Sequence, residues 1–221
     1  MKVLVAGSTG ETGRRVVTEL LERRIPLRAM GRELATAQAI LPTGIELVAA
    51  DLTQPHTLTA ALEGCTHVIC AAGSRPSWDP SGPYAVDFMG TKNLIDQAKS
   101  TGIQHFVLVT SLCVSRLFHP LNLFWLILLW KKQAELYLQH SGLTYTIIRP
   151  GGLKNEDNTD AIVMAPPDTL FEGRIPRRQV AQVCVESLLE IGARNKTVEI
   201  IAQPDAPQET LSKLFSTIRP S

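Results

Sequence analysis

The chain has 221 residues, a formal charge of +1 and 44% hydrophobic residues, enough to bury a sizeable core within one domain. The near-zero charge argues against a nucleic-acid partner or an acidic tail. Four cysteines without C-x-x-C spacing and five histidines without a ligand pattern leave no metal site or disulfide framework to expect, and the thiols suit a reduced core in a cytoplasmic setting.

From the N-terminus, strand-like apolar runs alternate with amphipathic ones. Lys2–Ala6 reads as a strand, with no signal or transit segment expected ahead of it, and Glu11–Glu22 as a helix. Leu27–Met30 leads to a short helix near Glu33–Leu41, Ile45–Ala50 to Leu58–Leu62, and His67–Ala72 to a helix near Tyr84–Ser100. His105–Thr110 precedes a long helix near Leu123–His140, and Thr144–Ile148 reads as the next strand. A weaker strand near Ala161–Ala165, a helix near Arg178–Ile191, a strand at Thr197–Ala202 and a helix near Glu209–Thr217 close the chain. Such alternation, with continuous Val/Ile/Leu strands, predicts an α/β fold: a Rossmann-type, doubly wound parallel sheet with helices on both faces. Residues 1–221 are expected to form one domain, with a small substrate or lid portion from about 151. The Pro/Gly-rich stretches Gly73–Pro83 and Pro150–Pro176 read as loops, and ligands in such folds bind beyond the carboxyl ends of the strands.

Gly7-Ser8-Thr9-Gly10-Glu11-Thr12-Gly13 sits between the first strand and the first helix. Free N–H groups at a helix start, the helix dipole and a glycine backbone that phosphate can approach closely together favour a pyrophosphate. Gly7, Thr9, Gly10, Glu11, Thr12 and Gly13 are therefore candidate cofactor-binding residues. The second strand ends in Met30-Gly31-Arg32-Glu33. Where an NAD site usually carries an acid for the ribose 2′-OH, Arg32 offers a planar fork for a 2′-phosphate, with Arg14 or Arg15 assisting. That points to NADP(H); the alternative is a solvated surface arginine.

Further short motifs follow in order: Asp51-Leu52 after the third strand, Ala71-Ala72-Gly73 after the fourth, Asp87-Phe88-Met89-Gly90-Thr91-Lys92-Asn93 at the next helix, Val109-Thr110-Ser111 at the fifth strand, and Arg149-Pro150-Gly151-Gly152 after the sixth. Together with the G-x-x-G-x-x-G turn they resemble the atypical, NmrA-like branch of the short-chain dehydrogenase/reductase superfamily. The run LNLFWLILLWKKQAELYLQHSGLTYTIIRPGG is similar to the chloroplast translocon's redox-sensor dehydrogenases and their cyanobacterial relatives, and the layout resembles more distantly the biliverdin reductase B and flavin reductase group. The resemblance implies Asp51 and Leu52 beside the adenine, Ala71, Ala72 and Gly73 along the cofactor, and Pro150, Gly151 and Gly152 beside the nicotinamide. It makes Ser111 the family serine and Lys131 the family lysine, both candidate catalytic residues, Lys131 also a cofactor-binding residue that holds the nicotinamide ribose, with Glu135 the acid four residues on. Ser111 is equally readable as a strand-end cap.

The family's tyrosine position falls on Ile127. Tyr84, Tyr137 and Tyr145 are followed four residues later by Phe88, Ser141 and Arg149, so no Y-x-x-x-K is present. Losing a general acid removes about 10²–10⁴-fold from a reaction that must protonate a carbonyl oxygen, and less where the reduced acceptor draws its proton from solvent. The expectation is an NADPH-dependent reductase of a small-molecule acceptor: a flavin (FMN or FAD as substrate), a biliverdin-like tetrapyrrole or a quinone. The alternative is a non-catalytic NADP(H) redox sensor or assembly factor associated with photosynthetic membranes.

Leu123 to Trp130 is a run of eight large apolar residues, with Phe118 and Leu121 upstream. It is too short to span a bilayer, which takes ~20 residues. As a helix apolar all round it is either internal or covered by a protein partner, a second copy or a membrane surface; Pro120 before it and Lys131-Lys132 after it fit an interface. A monomer or weak homodimer is expected.

Overall fold

The computed structural model describes residues 1–74, 80–123 and 125–220. Among these residues ten strands form one sheet: β1 (Val3–Ala6), β2 (Leu27–Gly31), β3 (Glu46–Ala49), β4 (His67–Cys70), β5 (His105–Val109), β6 (Tyr145–Pro150), β7 (Gly152–Lys154), β8 (Ala161–Ala165), β9 (Arg174–Pro176) and β10 (Lys196–Gln203). Their order is β3-β2-β1-β4-β5-β6-β10-β9-β7, with β8 also paired to β10. Every neighbour from β3 through β10 is parallel.

Alternation along each buried strand feeds two cores. Val3 and Val5 point to the face covered by α1 (Glu11–Glu22), α2 (Leu34–Ile40), α6 (Arg177–Leu189) and α7 (Leu211–Thr217). Leu4 and Ala6 point to the face covered by α3 (Pro55–Leu62), α4 (Thr91–Ser100) and α5 (Ile127–Gln139). Both faces being covered explains why these strands read as continuous apolar runs. The doubly wound α/β expectation therefore holds, with one correction: the far edge is mixed. β8 and β9 run antiparallel to β10, and part of the expected loop Pro150–Pro176 is strand. β7 and β9 have three residues each, too few to display a period. Two glycines let this edge close: a Cβ on Gly151 would lie 2.7 Å from the Gly173 carbonyl oxygen, and Gly173 itself has φ +124°.

Two helical expectations are also corrected. The segment expected as one helix near Tyr84–Ser100 begins with π-helical turns over Pro83–Gly90 before α4; the expected loop Gly73–Pro83 includes residues 75–79, which lie outside the described residues. The long helix expected from Leu123 starts only at Ile127. Pro120–Leu123 is a 3₁₀ turn, and Trp125 and Leu126 are left-handed, with φ 57° and 59°; Phe124 lies outside the described residues. Asn122 gives the local reason. Its side-chain nitrogen donates to the Arg116 and Leu117 carbonyls, and its Oδ1 accepts from the Leu128 N–H at 3.0 Å. It thereby satisfies a first-turn donor that has no intrahelical partner and fixes the helix start. Leu123–Trp130 is thus not one apolar helix: Leu128 is buried, whereas Phe118 is 98% and Leu123 85% exposed.

Candidate functional site

The strand order brings the expected residues into a row at the carboxyl end of the sheet. Asp51 follows β3, Arg32 follows β2, the glycine turn follows β1, Ala71–Gly73 follow β4, Ser111 follows β5, and Pro150–Gly152 end β6. At about 4.8 Å per strand, Arg32 to Pro150 spans about 19 Å, which suits an extended dinucleotide. The order reverses between β1 and β4, the switch point where doubly wound sheets open a crevice.

The glycine turn is shaped for close backbone approach. Gly7 has φ +79°, and a Cβ there would lie 2.6 Å from the Ala72 nitrogen across the switch point. A Cβ on Gly13 would lie 2.0 Å from the Gly7 carbonyl oxygen, so only glycine lets α1 start against the turn. Gly10 is the extended N-cap of α1 and has no side chain to occupy the first-turn N–H groups. Ser8 is fully buried and donates to the Met30 carbonyl at 2.8 Å, tying the turn to β2. Thr9 reaches Gly31 beside Arg32, and Thr12 is half-buried in the first turn. This cradle, which any side chain at Gly7 or Gly13 would fill, fits a dinucleotide pyrophosphate.

The side chains around the cradle divide into engaged and free. Glu11 accepts from Arg14 and Arg15; Arg15, bonded at 3.0 Å, does most to hold the Glu11 carboxyl below its ordinary value. Arg15 also reaches the Asn155 carbonyl. Arg14 and Arg15 are thus turned to Glu11, whereas Arg32 is exposed and makes no hydrogen bond or ion pair among the described residues. The Asp51 carboxylate caps Thr53, accepting from its N–H and its hydroxyl at 2.8 Å each. Leu52 is buried against Gly90, where a Cβ would lie 2.8 Å from the Leu52 Cβ.

At the other end of the row, α5 brings Lys131 to the end of β4. Its Nζ is 2.7 Å from Oδ1 of Asp87, which is 3% exposed. The second carboxylate oxygen accepts from the Ser74 N–H at 3.1 Å and the Ser74 hydroxyl at 2.5 Å. A Cβ on Gly73 would lie 3.3 Å from Asp87 and 3.4 Å from Lys131, so the backbone after β4 passes directly over the pair. Tyr84 packs edge-on against Trp130 with ring centroids 4.9 Å apart, and Phe88 stacks on Trp130 at 6.0 Å, which holds the π-helical stretch against α5. π-Helical turns often occur at functional sites. The Ser111 hydroxyl is half-buried and makes no hydrogen bond among the described residues, so it does not cap the strand. Ile127, four residues before Lys131, opens α5.

These geometries coincide with what comparison finds. The NAD(P)H-binding family matches residues 7–190. The chain belongs to this family. An uncharacterized chloroplastic protein of Arabidopsis thaliana is 42% identical over 99% of this chain and 82% of its own length. Protein TIC 62 of Pisum sativum is 36% identical over 98% of this chain, which spans only 46% of that protein. Sanguinarine reductase of Eschscholzia californica is 32% identical, covering 99% of this chain and 96% of the enzyme. Among solved structures, a putative NAD-dependent epimerase/dehydratase from Bacillus halodurans superposes with a TM-score of 0.87 at 28% identity, over 98% of this chain and 99% of that one. The resemblance to the atypical short-chain dehydrogenase/reductase branch is therefore borne out, and the family is one of NAD(P)H-binding, oxidoreductase-type proteins. Among the described residues, no helix is long and apolar enough to cross a membrane and no cluster of ligands suits a metal ion.

The structure adds groups that the sequence did not single out. Asp87 stood only inside a matched motif; its signal is an acid alone in the apolar stretch Tyr84-Ala85-Val86-Asp87-Phe88-Met89. Glu199, flanked by Val198 and Ile200 in β10, is a second such acid, and it is fully buried. Arg149 is only 1% exposed, and its guanidinium forks onto Glu135 of α5 at 3.0 and 2.7 Å.

Proposed function

We propose that this protein is an NADPH-dependent reductase of a flavin, tetrapyrrole or quinone-type acceptor, working in a reducing cytoplasmic compartment. The observation that carries the reading is the row of groups on adjoining strand ends, with the glycine cradle at the switch point, Lys131 and Asp87 two strands from Arg32, and Ser111 three. NADPH supplies a hydride when bound. Gly7, Thr9, Gly10, Glu11, Thr12 and Gly13 hold the pyrophosphate by backbone N–H groups, and Arg32, which has no partner among the described residues, holds the 2′-phosphate. Asp51 and Leu52 flank the adenine, Ala71, Ala72 and Gly73 line the middle, and Pro150, Gly151 and Gly152 lie beside the nicotinamide. Lys131, oriented by Asp87, holds the nicotinamide ribose. The Ser111 hydroxyl, unbonded among the described residues, faces the acceptor, which the portion from about 151 covers.

Ile127 offers no proton at the place of the family's tyrosine. That favours acceptors whose reduced form takes its proton from water over simple carbonyls. The relative named sanguinarine reductase supports a reductase as the class of activity. A second reading, a non-catalytic NADP(H) sensor or assembly factor, is favoured by one observation: the exposed side chains of Leu117, Phe118, Leu121 and Leu123 offer a contact surface for a protein or a membrane.

The test mixes protein with NADPH and FMN or biliverdin and follows the nicotinamide absorbance. The reductase reading expects oxidation above background, reduced at least tenfold in Lys131→Met and Ser111→Ala. Tight NADPH binding without oxidation for any acceptor overturns it and leaves the sensor reading.

A further inference from the structure

An ionic network links α5, β6 and β10 next to the candidate site. The Arg149 guanidinium reaches two elements from β6. Toward α5, its Nε and one Nη donate to both oxygens of Glu135. Toward the sheet edge, its other Nη donates to Asp168 at 2.9 Å and to Glu199 at 3.3 Å. Burial alone would lower the guanidinium's affinity for its proton; the Glu135, Asp168 and Glu199 carboxylates more than offset it and hold its pKa above the ordinary value. Glu135 has two further partners, the ammonium of Lys132 at 3.7 Å and the Thr110 hydroxyl at 2.7 Å, adjacent in sequence to Ser111.

Glu199 holds a loop. Its two oxygens accept the successive N–H groups of Asp168, Thr169 and Leu170 at 2.8, 3.0 and 2.7 Å. Asp168 is left-handed, with φ 61°, which turns these donors inward onto one carboxylate. The loop between β8 and β9 then packs outward against the segment after Ser111. Leu170 joins Leu112, Cys113 and Val114, and Arg116 lies 3.7 Å over the Phe171 ring. Without Glu199, three N–H groups of an irregular loop would lack their acceptor.

We infer that Arg149 is a positioning residue that sets the distance between Lys131 and the β8–β9 loop, with Glu135 and Glu199 as its two arms. Glu135 lies four residues after Lys131, on the same side of α5, so the Arg149 fork fixes the roll of the helix that carries Lys131. The same guanidinium and Glu199 fix residues 168–170, which border the segment leading from Ser111. The inference rests on the reductase reading in making this loop part of the acceptor pocket. A buried ionic network of this kind is weak as a source of stability, since well-packed apolar residues often do as well; a fixed geometry is what it provides.

The arms are separable. Glu199→Gln keeps the shape, weakens the hold on residues 168–170 and leaves the Arg149–Glu135 fork intact. Arg149→Lys keeps the charge and loses the fork. The expected pattern has three parts. Amide hydrogen exchange at 168–170 accelerates at least tenfold in both variants. The acceptor KM rises at least tenfold in both. NADPH Kd stays within twofold of wild type in Glu199→Gln and weakens at least tenfold in Arg149→Lys. The inference is overturned if amides 168–170 stay as protected as in wild type, or if Glu199→Gln weakens NADPH as much as Arg149→Lys does. Exchange and Kd need no turnover, so they decide the matter even if wild-type protein reduces no acceptor, an outcome that counts against the reductase reading alone.

Discussion

The two halves of the row above the sheet are held by different physics. Between β2 and β1 the site is built from backbone: the glycine turn fits because Gly7 and Gly13 have no side chain, and at its rim Arg32 makes no hydrogen bond or ion pair among the described residues. From the end of β4 to β10 it is built from buried charge: Asp87 with Lys131, and Arg149 with Glu135 and Glu199. A backbone cradle gives a rigid, sequence-local fit to a constant group such as pyrophosphate. A charge network places side chains that are far apart in sequence, as a variable acceptor pocket requires.

The contrast can be broken most strongly on the charged side. Glu135→Ala leaves the buried Arg149 without its bidentate partner, and loss of one member of such a pair costs about 3–5 kcal/mol; urea unfolding reads it. A loss under 1 kcal/mol means that water or a neighbour replaces the carboxylate and the network is dispensable.

The opposite end of the sheet supplies a titration against which both halves are compared. His105 is buried at the start of β5, where desolvation first, and the neighbouring His67 and Arg194 charges next, push its pKa down to about 4. His67 is lowered for the same first reason. Each is held neutral in the fold while the unfolded chain binds a proton below about 6.5. The contribution of both is present above pH 6.5 and declines as pH falls; that of His105 levels off below about 4. For His105 it amounts to about 3 kcal/mol, from 1.36 kcal/mol per pKa unit. Unfolding free energy measured from pH 7.5 to 4 follows this slope, and His105→Gln flattens it. An unchanged slope places the titration elsewhere.

Gly13→Ala tests the backbone half. Its Cβ meets the Gly7 carbonyl oxygen, and such overpacking costs about 1–3 kcal/mol. NADPH binding is lost with it, while the Arg149 network stays formed. The smallest effect is on Arg32→Ala. Being exposed, it leaves Tm unchanged, but the preference for NADPH over NADH in paired titrations falls about tenfold, the loss of one charge-assisted contact. An intact preference moves the 2′-phosphate to another residue.

The same contrast explains how much was legible in the sequence. The backbone half was readable because its determinants are local. The strand from Val3, the turn and the helix Glu11–Glu22 lie within 20 consecutive residues, and the helix has the bounds its amphipathic pattern predicts. The order of motifs placed Ser111 at a strand end and Lys131 on α5. The charged half was hidden because its pairs are long-range: Asp87 meets Lys131 from 44 residues away and Arg149 meets Glu199 from 50. No period signals such a pair. The late start of α5 was hidden for another reason. A single side chain, Asn122, outcompetes the helical tendency of the Leu-rich run by capping Leu128. The three-residue strands β7 and β9 exist only because Gly151 and Gly173 let two backbones meet.

The central claim is that this row holds NADPH with its reacting end at Lys131 and Ser111. A single-turnover experiment tests it most directly: protein saturated with NADPH is mixed rapidly with FMN, and nicotinamide absorbance is followed against a protein-free control. The account predicts a protein-dependent decay that slows at least tenfold in Lys131→Met. NADPH that stays bound and unoxidised, at the protein-free rate, with FMN and then with biliverdin, contradicts it.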